Sequence, residues 1–202
     1  MAACIGIPLG VLSAVKQYSL LDTIPSVMAL TLSAVPSFWF GMMLIYFLAY
    51  KLGLFPSYGM GGIEHWVLPT LTIAVVYAAE ILRYTRSSML ETIRADYVRT
   101  ARAKGVAERT VIWKHAMKNG LLPVITLLGS SFGAQIGGAI VTENLYNLPG
   151  LGTLTLVSIN MRDTPTVVAT SVIFATLYNI ILILVDLMYA FIDPRIKAKY
   201  SR

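Results

Sequence analysis

Ser131 stands between Gly129 and Gly133 in "LLGSSFGAQIGG", the glycine-x-serine-x-glycine spacing of a hydrolase nucleophile elbow. An elbow needs a strand before the serine, a helix after it and a histidine within reach. Ser131 lies instead inside a charge-free run, residues 119–142, and the two histidines, His65 and His115, fall in polar stretches away from it. Serine hydrolysis is not expected. There is no HExxH, and two isolated histidines do not make a metal site. The single cysteine, Cys4, excludes a disulfide framework. A GxxxxGK[ST] phosphate loop is also missing, so this chain cannot cradle ATP in that way. The reading is therefore of a non-enzyme with no catalytic residue, no metal and no cofactor. Three polar groups sit at or near the ends of apolar runs: Glu80, Asn179 and Asp186. Ionisable groups in such places are functional candidates by default. Glu80 is expected to snorkel or to pair with Arg83 or Tyr84.

The elements that position these groups follow from composition. Of 202 residues, 56% are hydrophobic and only 13% charged, and the mean hydropathy is +0.70. A soluble domain carries about 25% charged residues, so disorder, a basic nucleic-acid arm and an ordinary cytosolic enzyme are excluded together. Residues 23–50, 119–142 and 164–185 each lack Asp, Glu, Lys and Arg over 22 residues or more. About 20 residues cross a hydrocarbon core as a helix. The expected fold is all-α, a polytopic transmembrane bundle in a single domain. Its spans are placed at residues 1–15 (partial), 25–50, 66–84, 119–142 and 164–187. Pro36 should kink the second. Tyr46, Tyr50 and Trp66 fall at membrane interfaces, and Pro56, Gly59, Gly61 and Gly62 make the following loop turn-rich.

Alternating these spans puts Lys16, every basic residue from Arg83 to Lys118, and Arg195, Lys197, Lys199 and Arg202 on one side. The other side receives only Lys51 and Arg162. The positive-inside bias makes the richer side cytoplasmic, so the C-terminus is expected inside. Residues 1–15 read as the second half of a span, which suggests a chain lacking an upstream crossing. A signal peptide is the competing reading, but no charged region precedes the apolar run.

One extended polar region remains, residues 85–118. In "DYVRTARAKGVAERTVIWKHAMKNGLLP", Ile93, Tyr97 and Ala101 recur at i, i+4 and i+8. Val106, Thr110, Trp113 and Met117 follow at i, i+4, i+7 and i+11. Gly105 separates the two patterns and predicts helix, glycine break, helix. Such a pair has three uses: lying on anionic lipid, serving as a solvated connection, or docking in a groove of a cytoplasmic protein. Elsewhere, Gly129, Gly133 and Gly137 share one helical face. They suit close helix packing or a cleared face for substrate, with Gln135 on the same helix.

"RTARAKG", followed 18 residues after its glycine by Pro123, resembles the coupling-loop signature of binding-protein-dependent ABC importer permeases. The form is similar to the B-type subunit of the dipeptide, oligopeptide and nickel branch. "GIPLGVLSAVK", "PSFWFGMMLI", "LRYTRSSMLE", "TENLYNLPGLG" and "YAFIDPRIK" occur in that branch's order and cover nearly the whole chain. The general loop begins Glu-Ala-Ala with a glycine four positions after the second alanine. Here those positions hold Arg99, Thr100, Ala101 and Gly105, and Leu122 and Pro123 come five residues late.

The resemblance implies a MetI-like membrane fold, with the branch's first span and outer loop absent from this sequence. It implies a translocation subunit in the bacterial or archaeal cytoplasmic membrane, importing small peptides, or in the same architecture nickel or glutathione. The partners implied are a second homologous permease subunit, two ABC ATPases, an extracytoplasmic substrate-binding protein and the lipid bilayer, with no nucleic acid. Arg99, Thr100, Ala101, Arg102, Lys104 and Gly105 become the ATPase-coupling residues, Ala101 and Gly105 for close packing and Arg99, Arg102 and Lys104 for polar contacts. A secondary transporter, needing no ATPase, is the reading from a different class. No internal repeat of the kind common in such transporters is found.

Overall fold

A computed structural model describes residues 1–192, with side-chain surroundings described except at 133, 134, 136–138, 186 and 188–192. The described residues contain helices and no strand. They fall into two units, residues 1–43 with 70–127, and residues 44–69 with 128 onward.

In the first unit, α1 (Ala2–Val15) packs on α4 (Glu64–Ile93) through glycines. A Cβ on Gly6 would lie 2.7 Å from the Ala78 carbonyl oxygen, and one on Gly10 would lie 2.6 Å from Thr85 Cβ. Spaced by four, both glycines occupy one face and let the two backbones approach. The turn after α1 puts Tyr18 in a left-handed conformation, with φ 65°. α2 (Leu20–Ala34) then begins, and Asp22 in its first turn accepts the Tyr18 amide N–H at 3.0 Å. Val35 is extended, the conformation that a following proline favours. The chain therefore turns sharply into α3 (Ser37–Leu44), which continues as a π-helical stretch, Ile45–Lys51. The bend is 102°, so residues 25–50 form a broken pair where a kinked rod was expected.

α4 has 30 residues, about 45 Å at helical rise. The span expected at 66–84 is only part of it, because Thr85 and Met89 are fully buried and hold the extra turns in the packing. By length and composition, α4 and residues Thr164–Val185 of α10 (Thr164–Ile192) are each able to cross a membrane. The bent pair of α2 and α3 with its continuation qualifies as a third.

Beyond α4 come α5 (Asp96–Ala103), α6 (Glu108–Thr110), a π-helical stretch Val111–Ala116, and α7 (Met117–Gly120). The structure differs from the expected stripes in two details. Ile93 ends α4, and Ala95 is extended, so Ile93 is not on the helix of Tyr97 and Ala101. The buried positions of α5 are Val98 and Ala101, while Tyr97 is exposed. In the second stripe, the wider π turn rotates the register, burying Val111, Ile112 and Ala116 and leaving Trp113 exposed.

In the second unit, Leu68 packs with Tyr146 and Leu148, flanked by Leu44, Ile45, Leu48 and Phe55. Tyr46 stacks on Tyr50 with centroids 6.0 Å apart, and Lys51 Nζ lies 5.7 Å above the Tyr46 ring. α8 (Leu122–Leu145) and α10 meet at Gly129, where a Cβ would lie 2.7 Å from a Val185 methyl. Between them lies α9 (Leu151–Asn160), a helix for which the sequence pattern raised no expectation. Its N-terminus is held by Glu143, whose carboxylate accepts the Thr153 N–H at 2.9 Å and packs on Gly150. A carboxylate there is favoured by the helix dipole.

Candidate functional site

α5 carries most of the predicted site residues, and its build starts at the glycine. Gly105 has φ 76°, the left-handed region that residues with a Cβ avoid. Its N–H donates to the Arg102 carbonyl at 2.9 Å, and the Val106 N–H donates to the Ala101 carbonyl at 3.3 Å. This pair of bonds is a Schellman termination, completed by apolar contact where Val106 and Ala101 share one core. Nothing lies within 4 Å of where a Gly105 Cβ would point. Within this chain the glycine is thus needed for its backbone angle, and no neighbour packs against it.

The inward face of α5 is seated. Val98 and Ala101 rest against Val11 and Ala14 of α1, Met89 of α4, and Val111, Ile112 and Ala116. The base is tightened by the Ser88 hydroxyl, which donates to the Gly120 carbonyl at 2.7 Å. A fully buried valine contributes about 1.5–3 kcal/mol, so a helix of eight residues that would not persist alone in water is held in place.

The outward face presents Arg99, Thr100 and Lys104, all exposed. Arg99 lies 3.6 Å from Asp96 across one helical turn, a solvent-exposed contact of small energy. The Thr100 hydroxyl donates to the Asp96 carbonyl at 2.9 Å. Arg102 is differently employed. Its guanidinium meets the Glu108 carboxylate at two points, 2.8 and 3.0 Å, and donates a third bond to the Ile93 carbonyl at 3.2 Å. Arg102 thereby ties the end of α4, α5 and the start of α6 together. The same guanidinium holds the Glu108 carboxyl below its ordinary value and is itself raised by it. Of the three cationic residues expected to make polar contacts with a partner, Arg99 and Lys104 point outward and Arg102 is engaged internally.

A second constellation went unread in the sequence. Asp22 is buried, and Arg86 of α4 donates to it twice, Nε to Oδ1 at 2.5 Å and Nη2 to Oδ2 at 2.8 Å. The Ser26 hydroxyl adds a bond at 3.2 Å. A forked guanidinium–carboxylate pair is among the stronger side-chain hydrogen-bonded contacts. The available signal was an acid placed immediately before a long charge-free run, with arginine available opposite.

The other singled-out residues are dispersed. Glu80 forms no ion pair with Arg83 and no hydrogen bond with Tyr84 among the described residues. Asn179 donates to the Ala175 carbonyl of its own helix at 2.7 Å. Gly129 packs on Val185, whereas the surroundings of Gly133, Gly137 and Asp186 lie outside the described residues. Ser131 sits within α8, with helix on both sides, so the strand that an elbow requires is replaced by helix.

The chain matches the family of binding-protein-dependent transport system inner membrane components over residues 6–198. It belongs to that family. A peptide permease of Brucella suis biovar 1 is 42% identical over 98% of this chain and 65% of its own length. The oligopeptide transport system permease protein AppB of Bacillus subtilis is 42% identical over 98% of this chain and 66% of its own. The glutathione transport system permease protein GsiC of Pectobacterium atrosepticum is 40% identical, covering 98% and 65%. The chain thus spans about two thirds of the length of these curated relatives. As an inner membrane component of a transport system with long apolar helices, it is an integral membrane protein. The family resemblance drawn from the sequence blocks and the all-helical membrane fold both agree with these findings.

Proposed function

We propose that the chain is the translocation subunit of an ATP-driven importer of small peptides, a transport protein without enzymatic activity of its own. It works with a second homologous permease, two ATPases supplied by separate chains and an extracytoplasmic substrate-binding protein. The observation that carries this reading is the seating of α5: an apolar face packed on α1, α4 and the π-helical stretch, and an outward face of Arg99, Thr100 and Lys104. A helix so mounted transmits a push without yielding, so closure of an ATPase pair around it moves α1 and α4 with it. In this reading the spans run through residues 1–15, 25–50, 66–84, 119–142 and 164–187. The loop at 85–118 and the C-terminus then face the cytoplasm, as the distribution of basic residues favours. Gly129, Gly133 and Gly137 serve close helix packing.

The peptide cargo is supported by the names of the Brucella and Bacillus relatives. Glutathione, itself a small peptide, is a second reading favoured by the GsiC relatives. The test is a crosslink. With Cys4→Ser as background, Thr100→Cys should capture an ATPase chain in membranes of cells expressing the full transporter, and trialanine uptake should require ATP. Capture of phospholipid alone, or uptake driven by an ion gradient without ATP, refutes the reading in favour of a surface helix or a secondary transporter.

A further inference from the structure

Between α2 and the inner half of α4, wholly within the first unit, lies an open cleft of about 670 Å³. That volume falls in the range of small-molecule sites. α2 lines it with Ser26, Leu30 and Ser33, one face at helical spacing, and α4 lines it with Val76, Glu80, Arg83, Tyr84, Arg86 and Ser87. The two helices close on one another at Ala29, Ala79 and Leu82, and beside that contact these lining residues leave a gap. Arg86 is neutralised by Asp22 at one end. Glu80 and Arg83 are not: among the described residues neither has an ion-pair partner, although both face the cleft.

An uncompensated acid and base on a spanning helix are costly, and they persist where they face water or a charged passenger. They lie three residues apart, about 4.5 Å along the axis, so a small molecule bearing both charges can meet both. We propose that this cleft is a stretch of the cargo path, in which Glu80 receives the ammonium and Arg83 the carboxylate of a zwitterionic peptide. The assignment rests on the importer reading above. A zwitterionic phospholipid headgroup carries similar charges, and the partner permease could cover the same face; the experiment separates these.

In the assembled transporter with Cys4→Ser, Ser33→Cys and Ser87→Cys are exposed to a membrane-impermeant methanethiosulfonate and to a lipid-soluble maleimide. They are tested without nucleotide and after trapping with ATP and vanadate. A cargo path predicts modification by the impermeant reagent that changes at least about tenfold between the two states. Labelling by the maleimide alone assigns the cleft to lipid, and labelling by neither assigns it to a protein partner. Either result, or equal rates in both states, overturns the proposal. In the second arm, Glu80→Gln and Arg83→Gln are each expected to lower trialanine uptake about tenfold, the scale of one charged hydrogen bond. Arg83→Gln should also narrow the preference for trialanine over trialanine amide. Unchanged uptake and preference in both variants overturn the charge assignment. A wild-type transporter that imports no trialanine but keeps state-dependent labelling refutes the peptide reading and leaves the path in place. Normal uptake with silent thiols does the reverse.

Discussion

Breaking the Asp22–Arg86 pair from either side should have unequal consequences. The Asp22 side chain is 4% exposed, whereas that of Arg86 is 28% exposed and borders the cleft. Arg86→Ala leaves a buried carboxylate with only the Tyr18 amide and the Ser26 hydroxyl, and that loss should cost about 3–5 kcal/mol. Asp22→Ala leaves a guanidinium that water can reach, so its cost should be smaller, about 2 kcal/mol. Removing both groups removes the uncompensated charge, so the double variant should be less destabilised than the two losses added together. The assay is thermal unfolding of the detergent-solubilised transporter, followed by retention of the chain in complex. If Asp22→Ala proves as damaging as Arg86→Ala, or the two effects add without coupling, the pair does not carry the packing of α2 on α4 and the reasoning fails.

At Gly105, where no neighbour obstructs a side chain, Gly105→Asn should be milder than Gly105→Ala, which costs about 1–2 kcal/mol. Gly105→Val should be worst, and the order should appear in uptake per ATP hydrolysed while membrane insertion is unaffected; an equal effect of all three would exclude a conformational cause. Gly10→Ala should instead lower thermal stability and yield, since its Cβ would press on Thr85 and on the Leu82 carbonyl; a stability equal to wild type would show that α1 can shift freely on α4. The depressed Glu108 carboxyl stabilises the α5–α6 corner fully above its ordinary value of 4.5, and the benefit is lost as pH falls through its lower folded value. The protection factors of the amides at residues 103–107, exchange rates corrected for the intrinsic effect of pH, should therefore fall in acid, and this response should be absent from Glu108→Gln.

The family was legible because several blocks occur in order, and the all-helical membrane class was legible because charge is excluded from long runs. The shape of α3 and the buried stripes was not. A proline at 36 announces a disturbance, but the size of the turn depends on how Val35 and the flanking helices pack. The stripe through Trp113 is not legible because a regular period of 3.6 does not run through a stretch that forms π turns. Glycines at 129, 133 and 137 stand out within a charge-free run, whereas Gly6 and Gly10 share their spacing and only the fold shows how closely they approach α4. Arg102 illustrates the limit for charges. Composition marks it as one of many cations, and only the fold shows that Glu108 occupies it.

The seat of α5 joins Val11 to Val98 and Val111, parts of the chain made far apart in time. Long loops must close before such contacts bring any reward. The loop therefore comes to rest only once α1 has packed on α4 and residues 111–116 have followed it. A chain in which α1 goes astray should leave "RTARAKG" unseated and open to proteases, so the seat of α5 would also report whether α1 and α4 have met.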